Sequence, residues 1–346
     1  MSDYHSPVLL EESVKALIGD PSGVYADATF GGGGHSREIL SRLGPEGRLI
    51  AFDRDSDALE NELNDTRFKL IHNNFRFIHN YVLLERHQSG DPEFGLDGIL
   101  ADLGVSSHQF DTAERGFSFR YSAALDMRMN TRGARTAADI VNEYPQEALE
   151  RIFRRYGEVE NARRAAALVA QARSLSPITT TDALNAALEP ATPSHAAHKY
   201  LAKVYQALRI EVNQELRALE KFLDGAAASL KPGGRLVVIT YHSLEDRMVK
   251  NYIRFGNVDG IEQKDMYGKS FAPLEALDRK PILPQEEEIA SNTRARRAVT
   301  NDDGVRDNIS PRMMLPIPTI GKVGLSPAIR LPSASYILYS LTLRRA

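Results

Sequence analysis

Val24-Tyr25-Ala26-Asp27-Ala28-Thr29-Phe30-Gly31-Gly32-Gly33-Gly34-His35-Ser36 is the stretch from which the fold can be read. A short apolar strand ends near an acid, four glycines follow, and a helix-compatible run from Ser36 to Leu43 stops at Gly44-Pro45. Consecutive glycines allow φ > 0 and remove every Cβ that would hold a bulky ligand away. The helix behind them offers unpaired N–H groups. Strand, glycine loop and helix in this order form the ligand-binding corner of an α/β sheet.

Outward from that corner the pattern repeats. Arg48–Phe52 reads as a second strand closing on Asp53, Ala58–Leu63 as a helix, and Phe68–His72 as a third strand. Phe75–His87 reads as a helix and Gly98–Asp102 as a fourth strand. Strands alternating with helices imply a parallel sheet covered on both faces, with the strand C-termini along one ligand-binding edge. The rhythm stops after Asp102. Residues 103–135 are rich in Gly, Ser, Arg and Met, and about 140–230 is helical, before Arg235–Tyr241 supplies another strand. A helical domain inserted between two sheet strands explains that gap. One long helix is expected to return to the sheet, because Leu201, Val204, Leu208, Val212, Leu216, Leu219, Leu223, Ala227 and Leu230 form a stripe at helical period. Tyr336–Leu343 is a candidate final strand. The fold class expected is α/β, a Rossmann-like parallel sheet carrying an inserted all-helical domain. The expected divisions are 1–110 with 215–300 for the sheet domain, 111–214 for the insert, and 301–346 for an atypical tail.

Composition narrows the chemistry. The chain has 346 residues, 43 Lys+Arg against 46 Asp+Glu, and no cysteine. A net charge of −3 is not that of a protein that coats nucleic acid indiscriminately, although a local basic face is compatible with it. Without cysteine there are no disulfides, thiolate zinc sites or cysteine nucleophiles. No cationic-then-apolar leader and no apolar run of about 18 residues is present, so no membrane is expected and the cytoplasm is the expected compartment.

Three ligands and a purely structural turn compete for the glycine loop. A dinucleotide site wants G-x-G-x-x-G, but Ser36 stands where the third glycine should fall. An ATP loop wants Lys-Ser/Thr after the glycines, which is absent. S-adenosylmethionine (SAM) has a ribose for Asp53 and a cationic sulfonium and ammonium for Asp27. That acid, which would repel a pyrophosphate, favours SAM; a dinucleotide and a structural turn remain open. The fourth strand runs into Asp102-Leu103-Gly104-Val105-Ser106-Ser107-His108-Gln109, where a transferred group and its acceptor would meet. Asp102, Ser106 and His242 are the catalytic candidates. Arg115, Phe117, Phe119 and Arg128 alternate charge and aromatic surface, a pattern suited to stacking on bases and holding phosphates and equally to an ion-paired hinge. Arg209 and Asn213 lie one helical turn apart, and Glu245 and Arg247 follow the fifth strand, so these complete the substrate-binding candidates. His242 with Glu245 and Asp246 lacks ligand spacing, and no metal is expected. Arg151, Arg154, Arg155, Arg163, Arg164 and Arg173 give the insert a candidate RNA face.

Eight strings, in order over residues 5–247, resemble one family: His5–Glu12, Asp27–Ser36, Asp53 with Asp55, Asp102–Gln109, Glu114–Phe119, Leu125–Met129, Gln206–Leu216 and His242–Arg247. These are the bacterial SAM-dependent methyltransferases of N4 of a cytidine in 16S ribosomal RNA, the RsmH or MraW family. The resemblance implies a SAM-binding α/β domain with a helical substrate domain after the fourth strand. It implies cofactor contacts at Gly33, Gly34, His35, Asp53, Phe75, Asp102 and Gln109, beside Asp27 and Gly31 from the loop reading. It further implies cytidine 1402 of the small subunit as the target and a homodimer as an assembly to look for. An RNA-binding assembly factor that kept a methyltransferase fold is the alternative. Asn292–Arg296 begins like the family's late segment, and residues beyond it depart from that pattern.

Overall fold

The computed structural model describes residues 7–264 except 134, together with 266–268, 271–277, 282, 288 and 337–343. In chain order α1 (Leu10–Leu17), β1 (Val24–Asp27), α2 (Gly34–Arg42), β2 (Arg48–Asp53), β3 (Phe68–His72), α3 (Ile78–Ser89) and β4 (Leu96–Asp102) form the first part. The helices α4 (Ser107–Asp111), α5 (Ala137–Glu143), α6 (Gln146–Gly157), α7 (Ala162–Leu175), α8 (Thr181–Leu188), α9 (Ala197–Asn213) and α10 (Glu215–Ser229) follow. Then come β5 (Leu230–Thr240), α11 (Ser243–Phe255), β6 (Leu274–Ala276) and β7 (Ile337–Leu343).

The seven strands make one sheet in the order β3-β2-β1-β4-β5-β7-β6. The first five are parallel to their neighbours, and β7 runs antiparallel between β5 and β6. Register puts Asp27 beside Ala51 and Leu100, and Asp102 beside Ile239. The carboxyl ends of β1, β2, β4 and β5 therefore converge. β1 is buried along its whole length, as a central parallel strand must be.

Two large cores lie apart in the chain. One is built on the sheet from Phe52, Ile99, Leu223, Val238 and their neighbours, with α10 and α3 against it. The other belongs to the helices, with Leu125, Met127, Phe153, Val169, Leu184, Val204 and Leu208 at its centre. A third cluster packs α1 and α2 on the opposite sheet face through Leu17, Ile39 and Leu100.

Several expectations change in detail. Ala58–Leu63 is not an α-helix; a 3-10 turn covers Ser56–Asn61, introduced by the Asp55 side chain accepting from the Asp57 N–H. The expected single returning helix is two, because Gln214 takes a left-handed conformation at φ 50° and separates α9 from α10. The apolar stripe survives the break, with α9 serving the helical core and α10 the sheet core. The fifth strand starts at Leu230 rather than Arg235, and β6 had no counterpart in the sequence reading. Residues 337–343 of the expected tail form a strand inside the sheet; Asn292–Arg296 lie outside the described residues. No helix among the described residues is long and apolar enough to cross a membrane.

Candidate active site

The glycine loop is shaped by two acids. Asp27 is buried, and its Oδ1 accepts from the Thr29 N–H at 3.0 Å and its Oδ2 from the Ser36 hydroxyl at 2.7 Å. Burial pushes this carboxyl up from its ordinary value, partly opposed by the neighbouring His35. Asp53 at the end of β2 accepts from the Gly31 N–H at 2.8 Å and from the Asp55 N–H at 2.8 Å. Gly33 caps α2 at φ 73°, where a Cβ would stand 2.9 Å from the Phe30 ring. Glycine is required there for both reasons.

A shallow open cleft lies beside this loop, lined by Gly31, Asp53, Asp55, Asp57, Ala58, Ser106 and His108. Three carboxylates in the lining suit ribose hydroxyls and cationic groups, and disfavour a pyrophosphate. Ser106 borders it as the N-cap of α4, accepting from the Gln109 N–H while the Gln109 Oε1 accepts from the Ser106 N–H. Gln109 is buried and donates from Nε2 to Asp55 at 2.6 Å. Phe75, just past β3, packs edge-on to Phe222 with ring centroids 5.2 Å apart.

Asp102 ends β4 at the centre of the convergent edge. Its backbone N–H donates to Thr29 Oγ1 at 2.7 Å, tying strand to loop. Its Oδ1 accepts from the Tyr241 hydroxyl, and His35 Nδ1 stands 3.8 Å from its Oδ2. Burial pushes the His35 imidazole below its ordinary value, with Asp27 opposing. His242 caps α11 through Nδ1 and lies with Nε2 at 3.1 Å from Glu245. Glu245 is buried, which by itself raises its carboxyl. His242 and the Tyr241 N–H, which donates at 2.9 Å, outweigh that and hold it below the usual range. Glu215, His242 and Glu245 bring donor atoms within 4.8 Å of one another, but Arg209 grips both oxygens of Glu215 at 2.9 and 3.0 Å. That guanidinium already supplies the counter-charge a cation would bring.

Several candidate substrate contacts serve the chain itself. The Arg115 guanidinium donates to Asp55 and Asp57 and to the carbonyls of Arg128 and Met129. Arg128 is spent on Asp126 and the Gly133 carbonyl. Phe117 is buried in the helical core, and Phe119 packs edge-on to Tyr205 and His198. Asn213 accepts from the Met129 N–H and donates to the Met127 carbonyl, both at 2.8 Å. The expected stacking faces and phosphate holders of 115–128 are thus occupied by an ion-paired, packed turn, and Arg209 by Glu215. Arg247 is exposed and lies 3.6 Å from Glu158 of the helical body.

Three groups escaped the sequence reading. Arg54, half-buried between Asp53 and Asp55, reaches the Asn213 carbonyl at 3.0 Å and the sulfur of Met129. Asp57 completes the carboxylate wall, and Tyr241 holds Asp102. Asp55 was visible as the second acid of D-x-D, and Arg54 is the residue between the two; nothing in the sequence marks Tyr241 beyond its place after a strand.

A Rossmann-like sheet with an antiparallel seventh strand, a glycine loop after β1 and an acid after β2 defines a SAM-dependent methyltransferase. Residues 2–301 match the profile of the MraW methylase family. The ribosomal RNA small subunit methyltransferase H of Bacteroides fragilis is 53% identical over 295 residues, covering 85% of this chain and 95% of its own. Its namesake from Christiangramia forsetii is 49% identical over 298 residues, covering 86% and 96%. The chain belongs to the MraW methylase family, and its cofactor is SAM.

Proposed function

We propose that the protein transfers the methyl group of SAM to the exocyclic N4 amine of a cytidine in 16S ribosomal RNA, on the naked RNA or the small subunit, and works in the cytoplasm. The name borne by its relatives supports the RNA. The observation that carries the reading at the level of atoms is the position of Asp102, between the glycine loop and β5 at the mouth of the edge where a cofactor and a substrate base can meet.

Bound SAM supplies an electrophilic methyl carbon. Asp53, Gly31, Gly33, Gly34 and the neighbouring Asp27, His35, Phe75 and Gln109 are the residues to hold it. The cytosine amine is a weak nucleophile because its lone pair is delocalised into the ring. A carboxylate aimed at its N–H bonds strengthens as positive charge develops on nitrogen, which is the moment when stabilisation accelerates the reaction. Asp102 has that role here, with Ser106 and His242 flanking it on the loops after β4 and β5. Methylation at C5 ordinarily needs a cysteine thiolate, and the chain has no cysteine. In this reading residues 111–214 form the RNA-recognition body, with Glu245 and Arg247 at its border with the sheet.

The target base must leave its stack to reach such an edge, at a cost of a few kcal/mol. Tritiated-methyl transfer to small subunits, deproteinised 16S RNA and a short oligonucleotide, followed by nucleoside chromatography, tests the reading. Label in N4-methylcytidine is expected, with subunits methylated much better than the oligonucleotide. Label on C5 or the 2′-oxygen overturns the chemistry, and no transfer from a SAM-binding protein favours an assembly factor.

A further inference from the structure

We infer that Tyr241 is a positioning residue for this methyl transfer, holding the Asp102 carboxylate in the orientation from which it meets the acceptor amine. The inference rests on the function proposed above. Register places Asp102 beside Ile239, so Tyr241 stands two residues further along the neighbouring strand, just past the end of β5. Its hydroxyl donates to Asp102 Oδ1. The tyrosine is itself held from two sides. Its N–H donates to Glu245 Oε2 at 2.9 Å, and Glu245 is buried in the first turn of α11. Its ring lies over Gly104, where a Cβ would come within 3.4 Å of two ring carbons and where φ is 102°. A side chain at 104 would meet both the strain of that conformation and the ring.

The backbone of Asp102 is fixed separately, through its N–H to Thr29. That bond leaves two side-chain torsions to be set, and the phenol restrains them by holding Oδ1, with His35 on the side of Oδ2. Alignment of a reacting group matters steeply, because a small misplacement costs rate without costing binding. A hydroxyl that donates to Asp102 acts through that carboxylate, so its effect should disappear when the carboxylate is gone.

Tyr241→Phe removes one oxygen and keeps the ring against Gly104. Methyl transfer to small subunits is measured for wild type, Tyr241→Phe, Asp102→Asn and the double variant, with calorimetric titration of SAM and a melting curve for each. We expect Tyr241→Phe to lower kcat about tenfold, with KM for RNA and Kd for SAM within about twofold of wild type. In the Asp102→Asn background the same change should alter kcat by less than about twofold. An unchanged kcat in Tyr241→Phe, or losses that multiply in the double variant, overturns the inference. A wild type that makes no N4-methylcytidine overturns the functional reading itself, and the inference with it.

Discussion

The Arg115 guanidinium meets the Asp55 carboxylate at 3.0 Å although 60 residues of chain separate them. The same guanidinium reaches Asp57 at 2.6 Å and two carbonyls of the 128–129 turn. One side chain thus joins the carboxylate wall of the cleft to the segment that leads into the helical body. Both Arg115 and Asp55 are largely withdrawn from water, with side chains 12% and 4% exposed. Breaking a buried pair from one side leaves an uncompensated charge.

Arg115→Gln should therefore destabilise the protein by roughly 3 kcal/mol, read from chemical denaturation. SAM affinity should fall as well, because Asp55 holds Gln109 and its N–H is bound by Asp53. A loss below about 0.5 kcal/mol would mean that the pair behaves as a surface contact.

Asp53→Ala should weaken SAM binding by roughly 1.5–3 kcal/mol in calorimetric titration, since charge-assisted hydrogen bonds are removed. The Gly31 N–H loses its acceptor in the same stroke. Circular dichroism should show the helices intact, and binding equal to wild type would take Asp53 out of the cofactor site.

His35 gives stability a pH dependence. Burial pushes its imidazole below the ordinary 6.5, so the unfolded chain takes up a proton that the folded chain refuses. Stability is then present above that value and lost as pH falls through it. His79 is pushed in the same direction by burial and Arg86. The Asp27 carboxyl, raised by burial, contributes with the opposite sign, so the readout is a comparison: between about pH 7.5 and 5.5 the urea midpoint should fall more in wild type than in His35→Asn. An identical slope in the variant would show that the imidazole titrates normally in the folded state.

Gly116→Ala should cost roughly 2–3 kcal/mol of stability. Gly116 sits at φ 69°, and a Cβ there would lie 2.2 Å from the Ala124 carbonyl oxygen, which is backbone and cannot swing aside. Thermal melting checks this, and a shift of less than a degree would contradict it.

Much of the architecture was legible because the parallel strands are short, largely apolar runs that end abruptly. Val24–Asp27, Arg48–Asp53 and Phe68–His72 emerge from the sequence almost residue for residue. The break at Gln214 was not, because Leu208, Val212, Leu216 and Leu219 keep helical spacing across it and no glycine marks the left-handed residue. β7 was legible as Tyr336–Leu343, but β6 was invisible, since three residues carry little pattern and their partner lies far away in the chain. At the site, the glycine loop and its acids could be read because their roles are local: Gly31, Asp53 and Ser106 line one cleft. The 115–128 segment stays open in the sequence because arginine, aspartate and phenylalanine in alternation describe an RNA-binding strip and a folded ion-paired turn equally well. The ion pairs themselves, Arg115 with Asp55 and Arg128 with Asp126, depend on how the chain folds and are visible only in the structure.

β7 follows every other described strand in the chain, yet it lies between β5 and β6 rather than at a rim. Until it docks, β5 presents an open row of backbone donors and acceptors, and β6 has no sheet to join. A chain held in that state is a template for pairing with another molecule. Synthesis of the edge that carries Asp102 and His242 thus precedes closure of the sheet beneath it. Until β7 is made, the edge of β5 is therefore the surface of this chain most open to pairing with another molecule.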